Sequence, residues 1–113
     1  MPFLTVYTNA KEEELNKLAE EASNLVAEVL HKPVNYVVAN FIYNSSMAFG
    51  GSSSEKGALV ELLSIGLSNK DELVKALTQF LKEKLEINNL NNISISLYNA
   101  PASEVATAGR TFG

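Results

Sequence analysis

Pro2 and Lys32 are the residues of this chain best suited to moving a proton and holding an anion. A proline directly behind the initiator methionine is one of the small residues after which that methionine is commonly removed, and removal leaves a secondary amine. An ordinary α-amino group titrates at about 7.7–8.0, and apolar surroundings or a nearby cation lower that by disfavouring the charged form. A neutral amine at physiological pH can abstract a proton α to a carbonyl and return it elsewhere. Lys32 could pair with a substrate carboxylate and depress the same amine. Each residue also has a plainer account. A second-position proline alone is a processing signal, and a lysine near a helix C-terminus is favoured by the helix dipole. His31 beside it reads as a helix-end residue.

The remaining chemical inventory is short. With no cysteine, disulfides, thiolate metal sites, thiol nucleophiles and CxxC redox chemistry drop out together. One histidine supports no His-rich metal site, and neither a metal nor a cofactor is expected. Ser52, Ser53 and Ser54 have no base placed by sequence to activate a nucleophile. Gly50-Gly51 lacks the lysine and spacing of a phosphate loop and reads as a flexible turn. Most Asp and Glu fall on solvated helix faces. The net charge of −4 gives no footprint for phosphate backbones, so nucleic acid is not an expected partner. The N-terminus lacks the basic start and long apolar run of a signal peptide, and no window is apolar enough to insert in a membrane. The expected location is cytoplasmic, and secretion would need a non-classical route.

A chain of 113 residues, 46% of them hydrophobic, fits a single domain over 1–113. Phe3 to Tyr7 is rich in β-formers and reads as a strand starting almost at the terminus. Asn9 with Glu12 three residues later has the form of a helix cap, and Glu12, Glu13 and Glu14 suit a positive helix end. Leu15, Leu18, Ala19, Ala22, Leu25, Val26, Val29 and Leu30 then make one apolar stripe on a helix of roughly five turns. Pro33 ends it. Tyr36 to Tyr43 is a second strand, Ala58 to Ile65 a third, and Ile93 to Tyr98 a fourth. Between the last two, Ser68 and Asp71 predict the cap of a second helix that buries Leu73, Ala76, Leu77, Phe80, Leu81 and Leu85. The tail from Asn99 is expected to be loop with at most a short strand.

The order makes two βαβ pseudo-repeats, each with parallel strands and a right-handed crossover. The expected α/β fold is a four-stranded main sheet with two helices on one face. Val37, Val38, Phe41 and Ile42, like Leu59, Val60, Leu62 and Leu63, are apolar on both parities. The second sheet face therefore needs a cover that this chain does not contain, which predicts an oligomer.

Pro2, Thr8-Asn9, Lys32-Pro33 followed by Tyr36, Met47-Ala48-Phe49-Gly50-Gly51-Ser52-Ser53, Ser64-Ile65-Gly66 and Thr111-Phe112 occur in order over nearly the whole chain. Together they resemble the macrophage migration inhibitory factor family, the MAFGGSS run and the SIG triplet being specific in combination. The resemblance implies a homotrimer whose sheets wrap a central channel in a barrel-like assembly. It implies cofactor-free keto–enol tautomerisation of phenylpyruvate-like keto acids and of dopachrome derivatives. Pro2 would be the base, Lys32 the carboxylate anchor and Ile65 a backbone contact with Ser64 adjacent. Tyr36, Val105 and Phe112 would form apolar pocket wall at a subunit boundary. A secreted, cytokine-like role through a cell-surface receptor is a second implication.

This chain departs from the animal members of that family at several positions. Ser94 and Ser96 stand where those members place a tyrosine and an asparagine that reach a neighbouring subunit's pocket. Thr107 stands at about the position of a pocket-edge tryptophan. A wider, more polar pocket follows. Arg110 could add a second carboxylate contact, although a tail arginine is more commonly solvated.

Overall fold

The computed structural model describes residues Met1–Gly113. In β1 (Phe3–Thr8) every second side chain is buried, because Leu4, Val6 and Thr8 face the helices while Phe3, Thr5 and Tyr7 face away. β2 (Val38–Tyr43) lies parallel to β1, and β3 (Ala58–Ile65) lies antiparallel to it on the other side. β4 (Ile93–Ala100) pairs parallel with β3, giving the order β2-β1-β3-β4. Each half is thus a βαβ unit with parallel strands, as the pattern predicts, and the halves meet at the central antiparallel pair.

Helices α1 (Leu15–Leu30) and α2 (Lys70–Leu85) cover one face of the sheet. Leu18, Ala22, Val26 and Leu30 of the first helix meet Leu73, Leu77, Leu81 and Leu85 of the second over the inward residues of β1 and β3. Ala76 and Phe80 are only half-buried at its margin. Burial of this apolar surface is the main drive for the fold, and Lys84 and Glu21 add a part-exposed ion pair at 3.1 Å between the helices.

Both predicted helix caps are replaced by tertiary contacts. α1 begins at Leu15 with no side-chain cap. Asn9 instead donates from Nδ2 to the Glu55 carbonyl at 2.9 Å and accepts from the Gly57 N–H at 2.9 Å. Its amide is committed to the chain entering β3, so it is not free to cap a local helix. At α2 the capping position is Asn69, in a left-handed conformation, one residue beyond Ser68. Asn69 Nδ2 donates to the Val29 carbonyl at 3.3 Å and so ties the start of α2 to the end of α1. Only the acids Asp71 and Glu72 in the first turn follow the helix-end pattern.

Two further segments differ from the sequence expectation. Val34–Tyr36 is a 3₁₀ turn, so β2 starts at Val38 and Tyr36 lies outside the sheet. The tail carries two short strands, β5 (Ala106–Thr107) and β6 (Arg110–Thr111), paired through a turn at Ala108-Gly109. Both turn residues have positive φ, at 55° and 82°, which suits a two-residue hairpin turn.

The uncovered sheet face is ordered in rows across the strands. Val38, Phe3, Leu63 and Tyr98 form one apolar row. Asn40, Thr5, Glu61 and Ser96 form the next, which is polar, and Ile42, Tyr7, Leu59 and Ser94 follow. Val38, Leu59 and Tyr98 are 55%, 44% and 53% exposed, so this side of the protomer is the bare apolar face that the strands' composition requires.

Candidate active site

Two chain reversals and the start of the chain converge at one end of the sheet. α1 closes with His31 in the left-handed region, and the Lys32 N–H returns to the Ala27 carbonyl at 2.9 Å. This closure satisfies late helix carbonyls and turns the chain sharply. It throws the Lys32 side chain toward the end of β3, where Nζ donates to the Ile65 carbonyl at 3.3 Å. Pro2 lies just ahead of β1, its ring buried and its carbonyl accepting from the Val38 N–H at 3.0 Å. Since Phe3 pairs with Leu63, one step further brings Pro2 opposite Ser64.

The electrostatics follow from that placement. The terminal amine, carried here by Met1, is held below its ordinary value of 8.0, first by burial and second by the Lys32 charge. Both disfavour an ammonium group.

The turn after Ile65 is fixed by a residue that the motifs did not disclose. Asn99 Oδ1 accepts from the Gly66 N–H at 2.9 Å and the Leu67 N–H at 3.3 Å. Gly66 has φ +69°, a conformation that favours glycine, and Asn99 locks it. The available signal was an asparagine directly after the alternating ISISLY strand, but only the pairing of Ser64 with Asn99 brings the two strand ends together.

Tyr36 and Phe112 meet edge to face, with ring centroids 6.5 Å apart at 85°. Together with Thr107, Arg110 and Thr111 they line a cleft of about 470 Å³. Phe112 is held by backbone bonds from its N–H to the Ala102 and Val105 carbonyls at 3.1 and 3.0 Å. Val105 itself is 3% exposed and anchors the tail from beneath. Ser64 is fully buried, and its hydroxyl has no hydrogen-bond partner. Ser96 is not part of this cluster; it sits mid-strand on the uncovered face beside Glu61. A larger depression of about 750 Å³ lies over the acidic start of α1, but Glu12, Glu14 and Glu20 there repel a carboxylate.

A family model described as macrophage migration inhibitory factor (MIF) matches residues 1–113. The macrophage migration inhibitory factor homolog of Brugia malayi is 32% identical over 117 residues, covering the whole of both chains. Among solved structures, macrophage migration inhibitory factor from Trichinella spiralis superposes with a TM-score of 0.88 at 29% identity, covering 97% of this chain and 99% of that one. The homologue from Prochlorococcus marinus gives 0.90 at 27% identity, covering 98% and 99%. Two βαβ units joined in one mixed sheet, with a proline at the head of the first strand, make this a protein of the tautomerase superfamily. Within it, the chain belongs to the macrophage migration inhibitory factor family.

Proposed function

We propose that this protein is a cofactor-free keto–enol tautomerase acting on phenylpyruvate-like α-keto acids and dopachrome-type substrates, with Pro2 as base after loss of Met1. The observation that carries this reading is the convergence of Lys32, the Ile65 carbonyl and a terminal amine held below its ordinary pKa. The neutral Pro2 nitrogen takes a proton from the carbon beside the keto group, and a proton is delivered to the carbonyl oxygen to give the enol. The Lys32 ammonium neutralises the substrate carboxylate and keeps the amine unprotonated. Ile65 and Ser64 border the reacting end, while Tyr36, Phe112 and the Val105-anchored tail form its apolar wall. The active form is a homotrimer, in which Ser96 on the uncovered face of one protomer is supplied to a neighbour's pocket.

The test is phenylpyruvate tautomerisation by Met1-processed protein beside Pro2→Gly and an unprocessed control. Activity confined to the processed wild type supports the mechanism. No activity after confirmed removal of Met1 rejects phenylpyruvate and shifts the assignment to a secreted, receptor-binding protein.

A further inference from the structure

Ser64 is the one buried side chain whose polar atom has no partner. Leaving a hydroxyl unpaired away from water is costly, so its position calls for a ligand or a missing donor. Its strand register supplies the candidate. Phe3 pairs with Leu63 in the antiparallel ladder, and Pro2 and Ser64, the next residues along, are both buried on the helix-covered side. Because the Pro2 carbonyl bonds to Val38 in β2, Pro2 and Ser64 form a non-hydrogen-bonded pair of the ladder, the kind whose Cα atoms lie about 4.5 Å apart and whose side chains approach most closely. While Met1 is attached, the Pro2 nitrogen is a tertiary amide without a hydrogen. Removal of Met1 gives it one.

We propose that Ser64 is a positioning residue for Pro2, its Oγ accepting a hydrogen bond from the amine that processing exposes. The inference rests on the reading of Pro2 as the base. A neutral secondary amine carries one hydrogen and one lone pair. With the hydrogen committed to Ser64, the lone pair is left for the side on which Lys32 and the substrate lie. When the amine accepts the substrate proton it carries two hydrogens, and the Ser64 bond persists in a stronger, charge-assisted form. β3 contributes the neutral Ser64 and Ile65 here, and the charge acting on the terminal amine is Lys32, just past the end of α1.

The experiment uses processed protein labelled with ¹⁵N at proline, titrating the Pro2 nitrogen by NMR and recording the pH profile of phenylpyruvate tautomerisation. Ser64→Ala is expected to lower the Pro2 pKa by about 0.5–1 unit, because the lost bond favours the charged amine more than the neutral one. It should also lower kcat roughly tenfold with little change in KM, as expected for loss of orientation rather than of binding. Ser64→Thr, which keeps the hydroxyl, should restore both. Should the alanine variant not fold, Ser64→Cys keeps the volume with a weak acceptor and gives the same readout. Superimposable Pro2 titrations in wild type and variant overturn the proposal even where the wild type is active. A shifted titration in a protein without tautomerase activity upholds the Ser64–Pro2 bond and rejects the proposed reaction instead.

Discussion

At the scale of single residues, the proposed site depends on two influences on the terminal amine that act in the same direction. Burial and Lys32 both push the terminal amine toward its neutral form. The activity carried by a neutral base rises as pH passes its pKa, so the acid limb of kcat/KM should lie below the ordinary α-amino value of about 8. Lys32→Ala removes the cation, so that limb should move upward in pH while burial still holds it below the ordinary value. The same change removes the proposed carboxylate anchor. A charge-assisted hydrogen bond contributes about 1.5–3 kcal/mol, so kcat/KM for phenylpyruvate should fall roughly 10- to 100-fold, most of it in KM. A pH–rate profile of the variant beside wild type checks both directions.

At the scale of elements, the turns decide whether the site assembles. The MAFGGSS segment closes through a bridge between Phe49 and Ser52, and the Phe49 ring lies over Gly57. A Cβ at Gly57 would stand 2.7 Å from that ring and 2.6 Å from the Asn92 carbonyl oxygen. The same glycine accepts from Thr8 Oγ1 at 2.7 Å, and its N–H donates to Asn9. Gly57→Ala should therefore destabilise the fold by about 1–3 kcal/mol through overpacking. Urea denaturation would show a lower midpoint with an unchanged slope. Thr8 and Asn9 belong to the same knot, which explains why Asn9, which reads with Glu12 as a helix cap, is committed to the segment entering β3 instead. The parallel case is Asn69, whose link to Val29 joins the two helix ends near Lys32 and leaves Ser68 without a capping role.

At the scale of the whole molecule, the protomer leaves one complete sheet face uncovered. Large apolar patches on soluble proteins mark interfaces, and Leu59 lies within this one without contributing to the helix-covered core. Leu59→Glu should leave the protomer folded, with an unchanged far-ultraviolet spectrum, and should dissociate the proposed trimer in sedimentation analysis. If the pocket draws Ser96 from a neighbour, the dissociated protein should lose tautomerase activity with it. No helix is long and apolar enough to cross a membrane.

The sequence by itself determined the alternation of strands and amphipathic helices, because burial on one face imposes a period on the residues that make it. Ala58 to Ile65 matches β3 residue for residue, and Leu73, Leu77, Leu81 and Leu85 are the side chains α2 buries. The Pro2, Lys32 and SIG motifs were legible as well, because they are local in the chain. Only the tertiary structure decided what Asn9, Asn69 and Asn99 do. An amide side chain satisfies its hydrogen bonds with whichever backbone groups arrive beside it, and those groups lie 30 to 50 residues away in sequence. The isolation of the Ser64 hydroxyl was equally hidden, since it depends on a ladder register that places it against a residue at the far end of the chain.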